Sequence, residues 1–285
     1  MRERIKIKKN IFQKHLLVKY FIAPILFAAI IYSLGYLTNY LLSLFIPFFK
    51  AREYIFIFIF FTIFLNSWSK RRWNKEDLWI NLGFTKLSDN ISSPIFKKEL
   101  CKSFLVISCW SLLLIFKGYL RLKTNINYTF LFDILFTAIF VGVAEELLFR
   151  VWLFEELNLF LSKQNAIIFQ SLVFSLVHPY NLDENLFINI LIKIGLFLLG
   201  SYLNLLRINN YPNVFPSIAF HGGIVGFMFL AKSIFEIEGS YSFLIYGVQY
   251  DNFINPVSGL IGILTLLILN FYQFKASRKI FFNYD

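Results

Sequence analysis

The chain has 285 residues, of which 58% are hydrophobic and only 16% charged, against roughly 25% charged in an ordinary soluble domain. With a mean hydropathy of +0.62, this is the composition of a multi-pass membrane protein, and it excludes a disordered chain, a secreted disulfide scaffold and a nucleic-acid-binding module. The net charge of +11 fits orientation in a bilayer better than contact with nucleic acid, because the basic residues sit in the segments that separate apolar runs.

Residues 1–19 are basic, with Arg2, Arg4, Lys6, Lys8, Lys9, Lys14 and Lys19. The apolar run that follows is too long for a signal-peptide core of ~7–15 residues, so a retained first helix is expected near 19–46. Further spans are expected at 53–69, 103–120, 129–150, 165–180, 186–206, 214–232 and 256–273, about eight in all. Placing the N-terminus inside assigns most of the 28 Lys and Arg to cytoplasmic segments, so both termini are expected in the cytoplasm. The acidic residues Asp183, Glu184, Glu236, Glu238 and Asp251 then fall outside.

The expected fold class is therefore all-α, a polytopic transmembrane helix bundle. The polar segment 70–102, centred on Asn90, Ser92, Ser93 and Pro94, reads as a cytoplasmic loop. Residues 151–163 read as an amphipathic interfacial segment, with Glu155, Asn158 and Ser162 on one face. Cys101 and Cys109 fit no zinc or redox spacing.

An ionisable group inside an apolar run costs several kcal/mol unless it is paired, hydrated or used. Such groups are Asp133, Glu145, Glu146, Arg150, His178, Lys193 and His221. In Val141-Gly-Val-Ala-Glu145-Glu146-Leu-Leu-Phe-Arg150, Glu146 and Arg150 stand at i,i+4 and share a helix face, so they can pair. Glu145 points about 100° away, which leaves it free for chemistry. Gly142, one turn earlier, permits close approach of a helix or substrate. The bland alternative is that both glutamates mark a helix end at the membrane boundary.

Two more patterns follow. In Phe174-Ser-Leu-Val-His178 the aromatic and the imidazole are i,i+4, and the alternative is a histidine satisfied by an interhelical hydrogen bond. In Pro216-Ser-Ile-Ala-Phe-His221-Gly222-Gly223-Ile-Val225, Pro216 suits the first turn of a helix. His221 then lies near the positive end of the helix dipole, which favours neutral imidazole. Gly222-Gly223 permits close backbone approach, or is plain helix packing. Together, two carboxylates and two imidazoles meet the needs of hydrolysis: a base for water, a proton donor for the leaving amine and a donor to the oxyanion. The same four groups are also a donor set for a divalent metal such as zinc that activates water.

These three patterns, in this order, resemble the CAAX-protease and bacteriocin-processing (CPBP, Abi) family of intramembrane proteases, which includes the type II CAAX prenyl endopeptidase. The resemblance covers about residues 129–232. It implies a membrane-embedded endopeptidase acting on a peptide or membrane protein within the lipid bilayer, in a bacterial cytoplasmic membrane. It further implies that Glu145 and His178 activate water, that His221 serves the oxyanion, and that Glu146, Arg150 and Phe174 support the geometry. If the family is metal-dependent, the ligands would be Glu145, His178 and His221. Domains are accordingly expected as 1–128 (basic tail, three spans and loop), 129–232 (catalytic core) and 233–285 (outer loop, last span and basic tail).

One position departs from the pattern: Val225 stands where the family often has asparagine, and it cannot donate a hydrogen bond. That residue motivates an alternative, a non-proteolytic membrane scaffold or immunity protein. A proton-coupled transporter using the same acids and histidines is a third reading, against which stands the absence of inverted repeats. A straight hairpin of 134–160 and 165–178 brings Glu145 and His178 to similar depth. His221, however, starts its helix from the cytoplasmic side, so a tilt or the interfacial segment must reconcile the three.

Overall fold

The computed structural model describes residues 18–49, 52–124, 130–178, 186–250 and 253–282. The basic residues before Val18, together with Lys50, Tyr128, Asp183, Glu184 and Asp251, lie outside the described residues. The chain divides into two compact units, 1–78 with 158–160, and 79–157 with 161–285.

The first unit is built on two helices. α1 (Ala23–Ser43) continues a π-helical turn at Val18–Ile22, and α2 (Glu53–Trp73) packs along it. Phe27 stacks on Trp68 with ring centroids 4.3 Å apart. Asn74 ends α2 in the left-handed conformation, which asparagine tolerates better than most residues.

The second unit is a helix assembly. α3 (Pro94–Phe116) opens on Pro94, and Ser93 Oγ accepts from the Phe96 N–H at 3.2 Å, the expected pairing of a serine cap with a first-turn proline. α4 (Phe130–Glu145) passes without a break into a π-helix (Glu146–Leu153) and then α5 (Phe154–Asn158). α6 (Lys163–Val177), α7 (Leu186–Asn209), α8 (Phe215–Ile234) and α9 (Leu260–Phe282) follow. α8 packs against α3 and α4, and α7 packs against α6 and α9. The core includes Leu114, Tyr202, Leu203, Phe220 and Ile254. A short antiparallel ribbon pairs β1 (Leu120–Leu122) with β2 (Phe235–Ile237) just beyond the ends of α3 and α8.

The expectation of about eight spans is overturned. Among the described residues, five helices are long and apolar enough to cross a membrane: Tyr20–Ser43, Pro94–Phe116, Leu186–Asn209, Phe215–Ile234 and Leu260–Arg278. The three others fail for physical reasons. α2 carries Glu53 at its start and Lys70, Arg71 and Arg72 in its last turn. α4 and its unbroken continuation to Asn158 carry Asp133, Glu145, Glu146, Arg150, Glu155 and Glu156, too many charged groups for an apolar span. α6 has 15 residues, or about 22 Å at ~1.5 Å per residue, short of a hydrocarbon core of ~30 Å. The inside and outside assignment that rested on eight spans goes with that count. The chain remains an all-α, multi-pass membrane protein.

The interfacial reading of 151–163 also changes. Val151 and Phe154 are buried as expected, but Glu155 and Glu156 are buried as well. Ser162 is exposed as expected, and its hydroxyl caps α6 by accepting from the Asn165 N–H at 3.3 Å.

Candidate active site

The site forms where the end of α4, the π-helix, the end of α6 and the second turn of α8 converge. α4 reaches α8 so closely because both present glycine at the crossing. A Cβ on Gly142 would lie 3.0 Å from Gly222 Cα, and one on Gly222 would lie 2.7 Å from the Ala138 carbonyl oxygen. Small residues at such a crossing let two backbones approach within a membrane. The close approach brings His221, adjacent to Gly222, up to Glu145 and Glu146.

Glu146 and Arg150 are both fully buried, with Oε1 and Nη1 at 3.5 Å. The i,i+4 pair read from the sequence is thus present. Glu146 has a second task that the sequence could not disclose. Its Oε1 accepts a hydrogen bond from His221 Nδ1 at 2.8 Å, across 75 positions of the chain. A carboxylate on Nδ1 assigns the proton there and turns the Nε2 lone pair of neutral His221 outward.

His178 is fixed in the same sense. Helix α6 ends at Val177, and His178 leaves it with φ −66° and ψ 138°. Its Nδ1–H donates to the Phe174 carbonyl at 2.7 Å, so its Nε2 also carries the lone pair. Both Nε2 atoms face one oxygen. Glu145 Oε2 stands 3.9 Å from His178 Nε2 and 3.8 Å from His221 Nε2. That oxygen is shielded from solvent and has no hydrogen-bond partner. The separations exceed a direct hydrogen bond and suit one bridging water. The Glu145 and His178 side chains are each 28% exposed, while His221 is 4% and Glu146 fully buried. The cluster therefore opens on the Glu145 and His178 side and is closed behind.

Phe174 is the hub of this arrangement. It is fully buried, with its ring edge-on to Phe149 at 5.1 Å, His178 at 4.6 Å and His221 at 6.0 Å. The Arg150 guanidinium lies 4.2 Å from its ring centroid, a cation–π contact that offsets burial of the charge. Every residue that the sequence nominated, Glu145, Glu146, Arg150, Phe174, His178 and His221, is thus part of one constellation. Asp133, on α4, is not among its contacts.

Glu145, His178 and His221 are suited in kind to zinc. In spacing they are not: the 3.8 and 3.9 Å separations are wider than the roughly 3.4 Å between ligands of a tetrahedral centre with ~2.1 Å bonds. Among the described residues no three such side chains stand close enough to hold a metal.

Sequence reasoning missed a set of buried polar residues around this core. Asn204 Nδ2 donates to Gln170 Oε1 between α7 and α6, with both side chains buried. Glu99, expected in a loop, is buried in α3 and accepts from Tyr202 Oη at 2.9 Å and Lys102 Nζ at 2.7 Å. Arg207 is buried with its guanidinium 4.7 Å from the Tyr211 ring centroid. A signal existed for Gln170, which lies one helical turn before Phe174 on the same face. For Glu99 the spacing offered Lys102 at i,i+3, but nothing pointed to Tyr202, 103 positions away.

Residues 127–227 match a family model described as Type II CAAX prenyl endopeptidase Rce1-like. No curated protein and no solved structure matches the chain. The matched region holds the whole constellation. Over that region the chain is similar to a CAAX-protease-like domain, and within it lies the buried His221–Glu146 pair beside Glu145.

Proposed function

We propose that the chain is an intramembrane endopeptidase that hydrolyses a peptide bond in a peptide or membrane-associated protein, with Glu145 as the general base. The observation that carries this reading is the unpartnered Glu145 Oε2 between two imidazole nitrogens. A carboxylate oxygen and two lone pairs directed at one place are acceptors without a donor, and a water molecule supplies both its hydrogens to such a set. Glu145 takes one proton as the water oxygen attacks the scissile carbonyl carbon, and His178 Nε2 orients the water through the other.

The tetrahedral intermediate then carries its charge on the former carbonyl oxygen. Glu145 passes the proton it took to His221 Nε2, 3.8 Å away, and the resulting imidazolium keeps Nδ1–H on Glu146 and donates Nε2–H to the oxyanion. The buried Glu146 carboxylate at 2.8 Å stabilises that imidazolium. Arg150 in turn holds Glu146 in place. The proton returns from His221 through Glu145 to the amide nitrogen as the C–N bond breaks, which restores the carboxylate and the neutral imidazole. No step is routed through a metal. The proposed setting is the bacterial cytoplasmic membrane, with a substrate that reaches the partly exposed Glu145 and His178 face.

The test compares protein termini across host strains that carry either the wild type or Glu145→Ala at matched abundance. A set of termini present with the wild type and absent with Glu145→Ala is expected, and it names the substrates. Identical termini, with the variant inserted and as thermally stable as the wild type, refute the protease reading and favour a scaffold. Val225, which offers the oxyanion no donor, is the observation behind that second reading.

A further inference from the structure

Lys193 is one of the ionisable groups inside membrane-length helices that the proposed chemistry does not use. It lies two turns into α7 (Leu186–Asn209), an apolar span. Its side chain faces the end of α6. The Nζ donates to the Ser175 carbonyl at 3.0 Å and to the His178 carbonyl. Ser175 answers from the other helix, its Oγ donating to the Lys193 carbonyl at 2.7 Å.

The last carbonyls of a helix lack intrahelical partners and carry its negative dipole end. An ammonium there is both a hydrogen-bond donor and a favourable charge. A lysine in the membrane interior thus has a local purpose: it caps α6. The cap is placed with consequence, because the residue at the end of α6 is His178. The imidazole is tied to the Phe174 carbonyl through Nδ1, and the same residue's own carbonyl is tied to Lys193. The two ties fix where the histidine leaves the helix and which way its ring turns. Ser175 secures the lysine end, so the clamp spans two helices.

We propose that Lys193 is a positioning residue, which clamps the end of α6 so that His178 presents Nε2 to Glu145. Without the ammonium, the His178 peptide is no longer anchored. The bond from Nδ1–H to the Phe174 carbonyl then competes with other ring orientations, and the Nε2 lone pair is turned toward Glu145 for only part of the time. The catalytic half of this proposal rests on the protease reading; the structural half does not.

The experiment uses the full chain in lipid nanodiscs, labelled with ¹⁵N-histidine, with His178 assigned through His178→Gln. The ring nitrogen shifts report the tautomer. The wild type is expected to show His178 as a single Nδ1–H form. Lys193→Met is expected to mix the tautomers of His178 and to leave His221 unchanged, and Lys193→Arg to restore the single form. On a substrate found through its termini, Lys193→Met should lower kcat by about 10- to 100-fold with KM unchanged, since misplacing a group by ~1 Å costs about 10²-fold. Lys193→Arg should recover most of it. Ser175→Ala loosens the clamp without removing the charge, and it should shift His178 in the same direction by less; it serves where Lys193→Met fails to fold. An unaltered His178 tautomer in either folded variant overturns the proposal. An altered tautomer with unchanged kcat overturns its catalytic half. Loss of all cleavage by the wild type would sink the protease reading alone, and the tautomer measurement would still decide the clamp.

Discussion

The crossing of α4 and α8 sets the distance between Glu145 and His221, and it can be perturbed at two glycines whose added methyl groups meet different obstacles. In Gly222→Ala the new Cβ would lie 2.7 Å from the Ala138 carbonyl oxygen, a backbone atom. In Gly226→Ala it would lie 2.9 Å from the Ala138 Cβ, a side-chain atom. Ordinary contact begins at 3.4 Å, so relieving the first clash needs α4 and α8 to part by about 0.7 Å and the second by about 0.5 Å. Overpacking of this kind costs about 1–3 kcal/mol. The second clash has a remedy that the first lacks. Ala138→Gly removes the obstructing methyl from Gly226→Ala but leaves the carbonyl that obstructs Gly222→Ala.

Thermal unfolding in detergent is the assay, and it needs no substrate. Both single alanine variants should melt below the wild type. Adding Ala138→Gly should return the Gly226→Ala protein to within ~1 kcal/mol of wild type, the residue being the cost of glycine in a helix. The same addition should leave Gly222→Ala as unstable as before, or less stable. Equal rescue of both would refute the crossing geometry, as would wild-type melting of the two single variants. Because Gly222 adjoins His221, cleavage by Gly222→Ala should fall by up to about 10²-fold, more than its loss of stability accounts for.

Arg150→Met leaves the Glu146 carboxylate buried without its cation, and a loss of about 3–5 kcal/mol is expected; the double variant Glu146→Gln/Arg150→Met should recover part of it, and a melting series reads both. Glu145→Gln removes the base but no buried ion pair, so cleavage should be abolished while the melting temperature stays within a few degrees of wild type; a large drop in stability would mean that Glu145 is structural. Val225→Asn places a donor one turn beyond His221 on the same helix face, and turnover should rise, by at most the 10²- to 10³-fold that one oxyanion donor is worth. Unchanged turnover there would mean that the oxyanion is not held from this part of α8.

The site was legible in the sequence to an unusual degree, and its residues explain why. Glu145, Glu146, Arg150, His178 and His221 are polar groups in apolar surroundings, so each is conspicuous in composition alone. The pairing of Glu146 with Arg150 and the placing of Pro216 at the start of α8 depend on neighbours within one turn, which spacing reports. The number of spans was less legible, because hydropathy does not disclose where a helix stops. α6 ends at Val177, which leaves its apolar run too short to cross, and α4 runs on without a break into a π-helix that carries Glu146 and Arg150.

The sequence by itself determined that this chain lives in a membrane and which side chains are too costly there to be idle. It could not determine their partners. Glu146 serves His221 as well as Arg150, Lys193 caps a different helix from its own, and Glu99 answers Tyr202. Each of these is a contact between elements far apart in the chain. The hydrophobic pattern says which residues avoid water, whereas the approach of one helix to another, here allowed by Gly142 and Gly222, decides which buried charges meet.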